Sequence, residues 1–393
     1  MRFANAGFVL MLLLPAMRAQ FLPDVTVSPV RVAAGSGDTW FTVAGIGLTP
    51  NVQVYWNGNP RPTKYVSEWN VKTLVPAAAM AHPGIAKIWL WDPDQGARAS
   101  NTVSIPIYLP LQSQDLVYDS ARARLYASLL QSDANGPSIA VIEPVQGNVE
   151  RYIPLPDEPW VMALTSSGQY LYVAMSDRIR RIGLSAGSPD LDIPFQQTAA
   201  SILPLPGDGT SFVVTFGSTI YSAVVFDGAT QRPHQSNDAP KCLVAIDGTA
   251  LYGGPEFRLL RLGANGLPYS AELEVDSLLG GFDCPVYAGG ILYGSDGEIV
   301  DPAAPAVVGR FGGAGLVDVA LDRNEAYFVQ GSSTVENISV FDASSHALLV
   351  STDLPGKWIM NAGRLVHWGS DGLAFIDFSG PNGIYLVHTG DLY

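Results

Sequence analysis

The 393-residue chain is long enough for two or three domains, although ring-shaped β folds exceed that prior as one unit. Its 22 Lys and Arg against 36 Asp and Glu leave a net charge of −14 with no basic cluster. That excludes nucleic-acid binding by phosphate neutralisation and electrostatic docking on anionic lipid. Only 15% of residues are charged, while Gly (40) and Pro (29) are frequent, which suits short strands joined by tight turns and does not suit helical bundles.

In chain order, Arg2 followed by the apolar run Gly7 to Ala16 has the layout of a secretory signal, with cleavage expected after Ala19 (residues 1–19). The run is shorter than the roughly 20 apolar residues that span a bilayer. No Cys stands directly after it, and no later segment is long and apolar enough to cross a membrane. The expectation is an exported protein, periplasmic or extracellular, with no membrane span once the signal is removed.

From 22 to 108, short runs alternate apolar and polar residues between Gly, Pro and Asn, as in Thr39-Trp40-Phe41-Thr42-Val43, Val52-Gln53-Val54-Tyr55-Trp56 and Ile88-Trp89-Leu90-Trp91. Period-two alternation over such runs predicts half-buried strands, and their number predicts a β-sandwich. Asn57-Gly58 suits a primed hairpin turn. The pieces Val27-Ser28-Pro29, Ala34-Gly35, Val43-Ala44-Gly45-Ile46-Gly47-Leu48, Trp56-Asn57-Gly58, Leu74-Val75-Pro76 and Ser100-Asn101 resemble an IPT/TIG domain; Leu48 stands where that family usually has Phe. The resemblance implies an immunoglobulin-like spacer or interaction module without catalysis, with Ile88 and Leu90 in its core.

Alternation then places Trp89 and Trp91 on the opposite face. Tyr55 leaves its strand opposite Val54 and Trp56, and Trp69 falls near a hairpin tip. Tyr55, Trp69, Trp89 and Trp91 form a candidate binding surface, suited to stacking on sugar rings or anchoring a partner protein. Packing against the next part of the chain is the alternative for these rings.

From 111 to 393 two signals alternate seven times each. One is a compact apolar-aromatic strand core at Leu125-Tyr126, Leu171-Tyr172, Phe212-Val213, Leu251-Tyr252, Leu292-Tyr293, Tyr327-Phe328 and Leu365-Val366. The other is an apolar residue before a turn, usually opened by an acid, at Ile142-Glu143, Ile182-Gly183, Phe226-Asp227, Leu262-Gly263, Val300-Asp301, Phe341-Asp342 and Ile376-Asp377. Copies recur about 34 to 46 residues apart, near the roughly 40–45 of a propeller blade. The fuller copies, Pro159-Trp160-Val161-Met162-Ala163-Leu164 with Ser167-Gly168-Gln169-Tyr170-Leu171-Tyr172-Val173-Ala174, resemble the YVTN-type repeat of exported bacterial propellers. The expected fold class is all-β: an N-terminal immunoglobulin-like sandwich followed by a seven-bladed β-propeller, whose last repeat holds four strands of its own, ending at Gly383 to His388.

That register puts Cys242 and Cys284 at equivalent points of adjacent innermost strands, where a disulfide would join two blades. Asp115, Trp160, Cys242, Asp283 and Trp358 each fall near the start of an inner strand and are candidates for a channel mouth. No catalytic site, metal site or cofactor is expected. His82, His234, His346, His367 and His388 are isolated, no Gly-x-Ser-x-Gly elbow occurs, and Asp92-Pro93-Asp94-Gln95-Gly96 is a turn lacking the rest of a calcium loop. The expected function is extracytoplasmic binding or scaffolding of an unidentified protein or glycan partner by a monomer. The alternative is a propeller enzyme, lactonase-like or another hydrolase, with its site at the channel mouth.

Overall fold

The computed structural model describes residues 24–95, 98–195, 197–207, 209–217, 221–239, 241–253, 257–275, 278–279, 284–331, 335–355, 364–377 and 383–393. The predicted signal segment, Asp283 and Trp358 lie outside them. The described residues form strands, turns and three short 3₁₀ turns, and no helix among them is long and apolar enough to cross a membrane.

The first part holds two sheets. One runs in the order Thr26–Ser28, Thr39–Ala44, Asn70–Val75, Thr63–Ser67. The other runs Val32–Ala33, Val103–Tyr108, Gly84–Asp92, Gln53–Trp56, Asn59–Arg61, with Arg98–Ala99 also paired to Gly84–Asp92. Alternation sends Phe41, Val43, Val71 and Val75 from the first sheet and Val54, Trp56, Ile88 and Leu90 from the second into one buried core. Phe41 and Trp56 meet there with ring centroids 5.0 Å apart. Asn57 and Gly58 adopt positive φ (48° and 75°), as a primed turn requires. Asp92 acts as a turn residue: it is fully buried, and its carboxylate accepts from the Thr49 hydroxyl (2.9 Å) and the Asp94 amide (3.0 Å).

The second part forms seven consecutive antiparallel sheets among the described residues. Their first strands are Ser113–Asp119, Val161–Leu164, Ala199–Pro204, Val244–Ala245, Val286–Ala288, Leu316–Ala320 and Val366–Trp368. Second strands such as Arg124–Leu129 and Tyr170–Ala174 are buried on both faces, because each sheet is sandwiched between neighbours. Each core is shared by two consecutive sheets. The seventh shares one with the first, where Trp368, Ala374 and Ile376 pack with Leu116, Leu125 and Leu129. The acids of the second sequence signal cap their turns: Glu143 accepts from the amides of Val145 (2.9 Å) and Gln146 (3.0 Å), and Asp342 from those of Ser344 (3.1 Å) and Ser345 (2.6 Å).

The last repeat departs from the expected register by one strand. Leu365 precedes and Val366 opens the innermost strand of the seventh sheet, Val366–Trp368, and Ile376-Asp377 ends its second strand, Gly372–Asp377. Gly383–His388 is therefore the third strand, and the fourth position is taken by Leu109, which exchanges backbone hydrogen bonds with Ile384 (2.8 and 3.0 Å). A buried apolar pair followed by an acid describes either of two adjacent buried strands, so pattern alone does not separate them.

The same junction joins the two parts. Tyr108 packs against Tyr385 (centroids 5.6 Å), and Arg31 forms an ion pair with Asp377, whose side chain is fully buried. The Lys87 ammonium donates to the Tyr393 carbonyl (2.5 Å).

Candidate functional site

The first strands of all seven sheets line one cavity of about 490 Å³. In five of the seven sheets the lining residues sit near the start of the first strand, and in the second and third they also extend along it (Ala163, Leu164, Ile202, Leu203), so the cavity opens at one end of an axial channel. Asp115 and Trp160 are both there, joined by Lys241, Cys242, Cys284, Asp318 and Arg364. Cys242 and Cys284 are linked by a disulfide with Cα atoms 5.3 Å apart, tying the approaches to the fourth and fifth innermost strands.

Asp115 follows a register shift between Ser113 and Asp115, and its amide donates to the Ser128 hydroxyl (2.8 Å). Its carboxylate accepts from the Leu116 amide (2.9 Å) and, across the sheet boundary, from the Met162 amide (2.7 Å). Burial pushes this carboxyl above the usual range, while Arg364 and the two amides pull the other way. Asp318 repeats the arrangement between the sixth and seventh sheets. It accepts from the Val319 amide (2.8 Å), the His367 amide (2.6 Å) and the His367 ring Nδ1 (2.8 Å). For His367, burial lowers the imidazole pKa, but the hydrogen bond and charge of Asp318 outweigh it and the net shift is upward. Both carboxylates are thus ties between sheets. Asp318 escaped the sequence reading, yet Asp115-Leu116-Val117 and Val317-Asp318-Val319 put an acid at matching places of two inner strands.

Asp115→Ala is expected to lower unfolding free energy by about 2–4 kcal/mol, because two buried amides lose their acceptor. Urea denaturation with unchanged slope would register it; a loss below about 0.5 kcal/mol would show that the carboxylate is not a tie.

Arg364 reaches from the seventh sheet across the first. Its Nε lies 3.6 Å from Asp115 Oδ1 and its Nη1 donates to the Met162 carbonyl (3.4 Å), while 41% of the side chain stays exposed. Trp160 is 38% exposed, its amide fixed to the Ala174 carbonyl (2.9 Å). The Lys241 carbonyl accepts from the Thr215 hydroxyl (2.6 Å).

The four module aromatics do not share one surface. Tyr55 and Trp89 stack face to face on the outer side of the second sheet (4.1 Å, 9°), and Trp91 is half-buried two residues further along the same face. Trp69 is half-exposed in the turn between Thr63–Ser67 and Asn70–Val75, in the other sheet, since that hairpin closes the opposite layer. Trp40, Ile46 and Val66 are also exposed and were not singled out from sequence. Trp89 borders a cleft of about 420 Å³ with Asn57, Lys87, Thr102 and Asp391, so it faces the seam between the two parts. Among the described residues no three His, Cys, Asp or Glu side chains converge as a metal site would require.

No family model matches the sequence, and no curated protein matches it. Among solved structures, the β-propeller domain of Cps50 (Swd1) from Myceliophteria thermophila is similar, with a TM-score of 0.54 at 11% identity over 70% of this chain and 95% of that one. The chain contains a β-propeller. BamB from Moraxella catarrhalis gives a lower TM-score of 0.44 at 12% identity, over 72% of this chain and 86% of that one. At such identities the propeller likeness speaks for fold alone, so the propeller's function must be argued from its own surfaces.

Proposed function

We propose that the chain is an exported binding or scaffold protein of the periplasm or cell exterior. In this reading an immunoglobulin-like, IPT/TIG-type module (22–108) is fused to a seven-bladed, YVTN-type propeller (111–393). The protein acts as a monomer and recognises a protein or glycan partner through the module and the propeller's axial mouth. The observation that carries the reading is the engagement of the mouth's described carboxylates. Asp115 and Asp318 direct their oxygens at donors that hold neighbouring sheets together, and His367 is oriented by Asp318. Hydrolysis at this mouth would need a carboxylate or imidazole turned toward substrate. Arg364, Lys241 and Trp160 line the same cavity as these two carboxylates, and such side chains supply recognition chemistry.

The full chain, titrated with fractionated envelope polysaccharide or protein and followed by tryptophan fluorescence, is expected to bind saturably and return its ligand unchanged. A shortened or ring-opened product in the mass spectrum would favour the lactonase-like alternative. Absence of saturable binding to every fraction would count against recognition.

A further inference from the structure

The axial mouth carries more information than the presence of a cavity. Arg364, Lys241 and Trp160 each precede an innermost strand, of the seventh, fourth and second sheets respectively. They therefore sit at the same end of the channel, and the seventh and fourth sheets stand on opposite sides of the ring. The Arg364 side chain and the backbones of Trp160 and Lys241 are held before any ligand arrives. Asp115 and the Met162 carbonyl position the Arg364 side chain, the Trp160 amide is bonded to Ala174, and the Lys241 carbonyl is bonded to Thr215. Two cations share the opening with Asp115 and Asp318, whose carboxylates accept from backbone amides, while 41% of the Arg364 side chain stays exposed. An exposed guanidinium fork matches a carboxylate in shape and charge. A half-exposed indole lining the same cavity matches the apolar face of a sugar ring. Gln114 and Ser201 add hydrogen-bonding groups on the walls, and about 490 Å³ lies within the range of small-ligand sites.

We propose that this mouth binds an acidic sugar residue, its carboxylate on Arg364 with Lys241 across the channel and its ring against Trp160. The proposal rests on the binding reading above and names the ligand class. It fits a saccharide better than an acidic peptide because the aromatic face and the cationic fork open on the same small cavity.

The test is calorimetric titration of the full chain with glucuronic, galacturonic and mannuronic trisaccharides, each paired with its methyl ester, which keeps the ring and removes the charge. At least one acid form is expected to bind ten or more times tighter than its ester, with affinity falling as salt rises. Arg364→Ala and Lys241→Ala should each erase most of that preference. Arg364→Lys should restore it partly, since it returns the charge without the fork, and Trp160→Ala should weaken acid and ester alike. Should Arg364→Ala fail to fold by circular dichroism, Lys241→Ala and Trp160→Ala still decide the matter. Equal affinity for acid and ester, or no binding of any trisaccharide, would overturn the proposal. Binding of a glutamate hexapeptide in place of the saccharides would overturn it while leaving the recognition reading intact. Cleavage of a trisaccharide would instead defeat the recognition reading itself.

Discussion

Arg31→Met is expected to lower the unfolding free energy of the full chain by about 3–5 kcal/mol, the usual loss when one partner of a buried ion pair is removed. Arg31 comes from the first part and meets Asp377 at the end of the seventh sheet's second strand; the Asp377 side chain is fully buried and that of Arg31 is 17% exposed. Arg31 also donates to the Tyr385 hydroxyl (3.3 Å). Removing the guanidinium strips the cation from beside a carboxylate that water does not reach. Asp377→Leu together with Arg31→Met should recover much of the loss, because the pair is replaced by apolar groups and no charge is left behind. Denaturant unfolding of the two single variants and the double variant checks this. A single-variant loss below about 1 kcal/mol would show the pair to be incidental. The same contacts bear on truncation. Deleting residues 22–108 removes Arg31 and Tyr108 from the seventh sheet and should expose that sheet to protease, so point variants are the sounder route to partner recognition.

Glu336→Gln is expected to flatten the pH dependence of stability between about pH 4.5 and 8 and to stabilise the chain at alkaline pH. Glu336 lies at the start of the sixth sheet's third strand, is fully buried, and neither carboxyl oxygen has a hydrogen-bond partner among the described residues. Burial, and after it the nearby Asp377 charge, pushes its carboxyl up to about 8. The native state therefore keeps a proton that the unfolded chain releases near pH 4.5. Between those values the unfolded state binds fewer protons, so stability falls as pH rises, by about 1.4 kcal/mol per unit and about 5 kcal/mol across the window as an upper bound. Below the window both states are protonated and above it both are ionised, so this group adds no slope in either region. Gln keeps the shape without the charge. Urea midpoints at pH 5.5, 7 and 8.5 should converge for the two proteins at the lowest pH and diverge at the highest. Parallel curves would contradict the assignment.

The two acids of this junction mark where sequence reasoning stopped. Six of the seven sheets were legible because their second strands are apolar on both faces and their third strands end in a turn, opened by Glu143, Asp227, Asp301 or Asp342 in four of them. Asp377 carries the same local signature but ends a second strand and pairs with Arg31. That is why the last repeat slipped by one strand. Whether Ile105 to Leu109 joins the ring was left open from sequence, because one residue bridged to a distant strand leaves no periodic trace. The placement of Cys242 beside Cys284 followed from the repeat register, which was sound through the fifth sheet. At the mouth, Asp115 and Trp160 were found by position, whereas Arg364 and Lys241 follow no motif. Their significance comes from facing one cavity across sheets that are far apart in sequence. Alternation put Trp89 and Trp91 on one face, but it says nothing about which sheet a turn residue such as Trp69 belongs to.

The most direct measurement is a crystal structure of the full chain grown with the tightest-binding acidic trisaccharide. The account predicts seven sheets around one axis, Leu109 beside Ile384 in the last of them, and the sugar carboxylate against Arg364 at the open mouth. A different number of sheets, a mouth closed by its own side chains, or the saccharide bound elsewhere would contradict it.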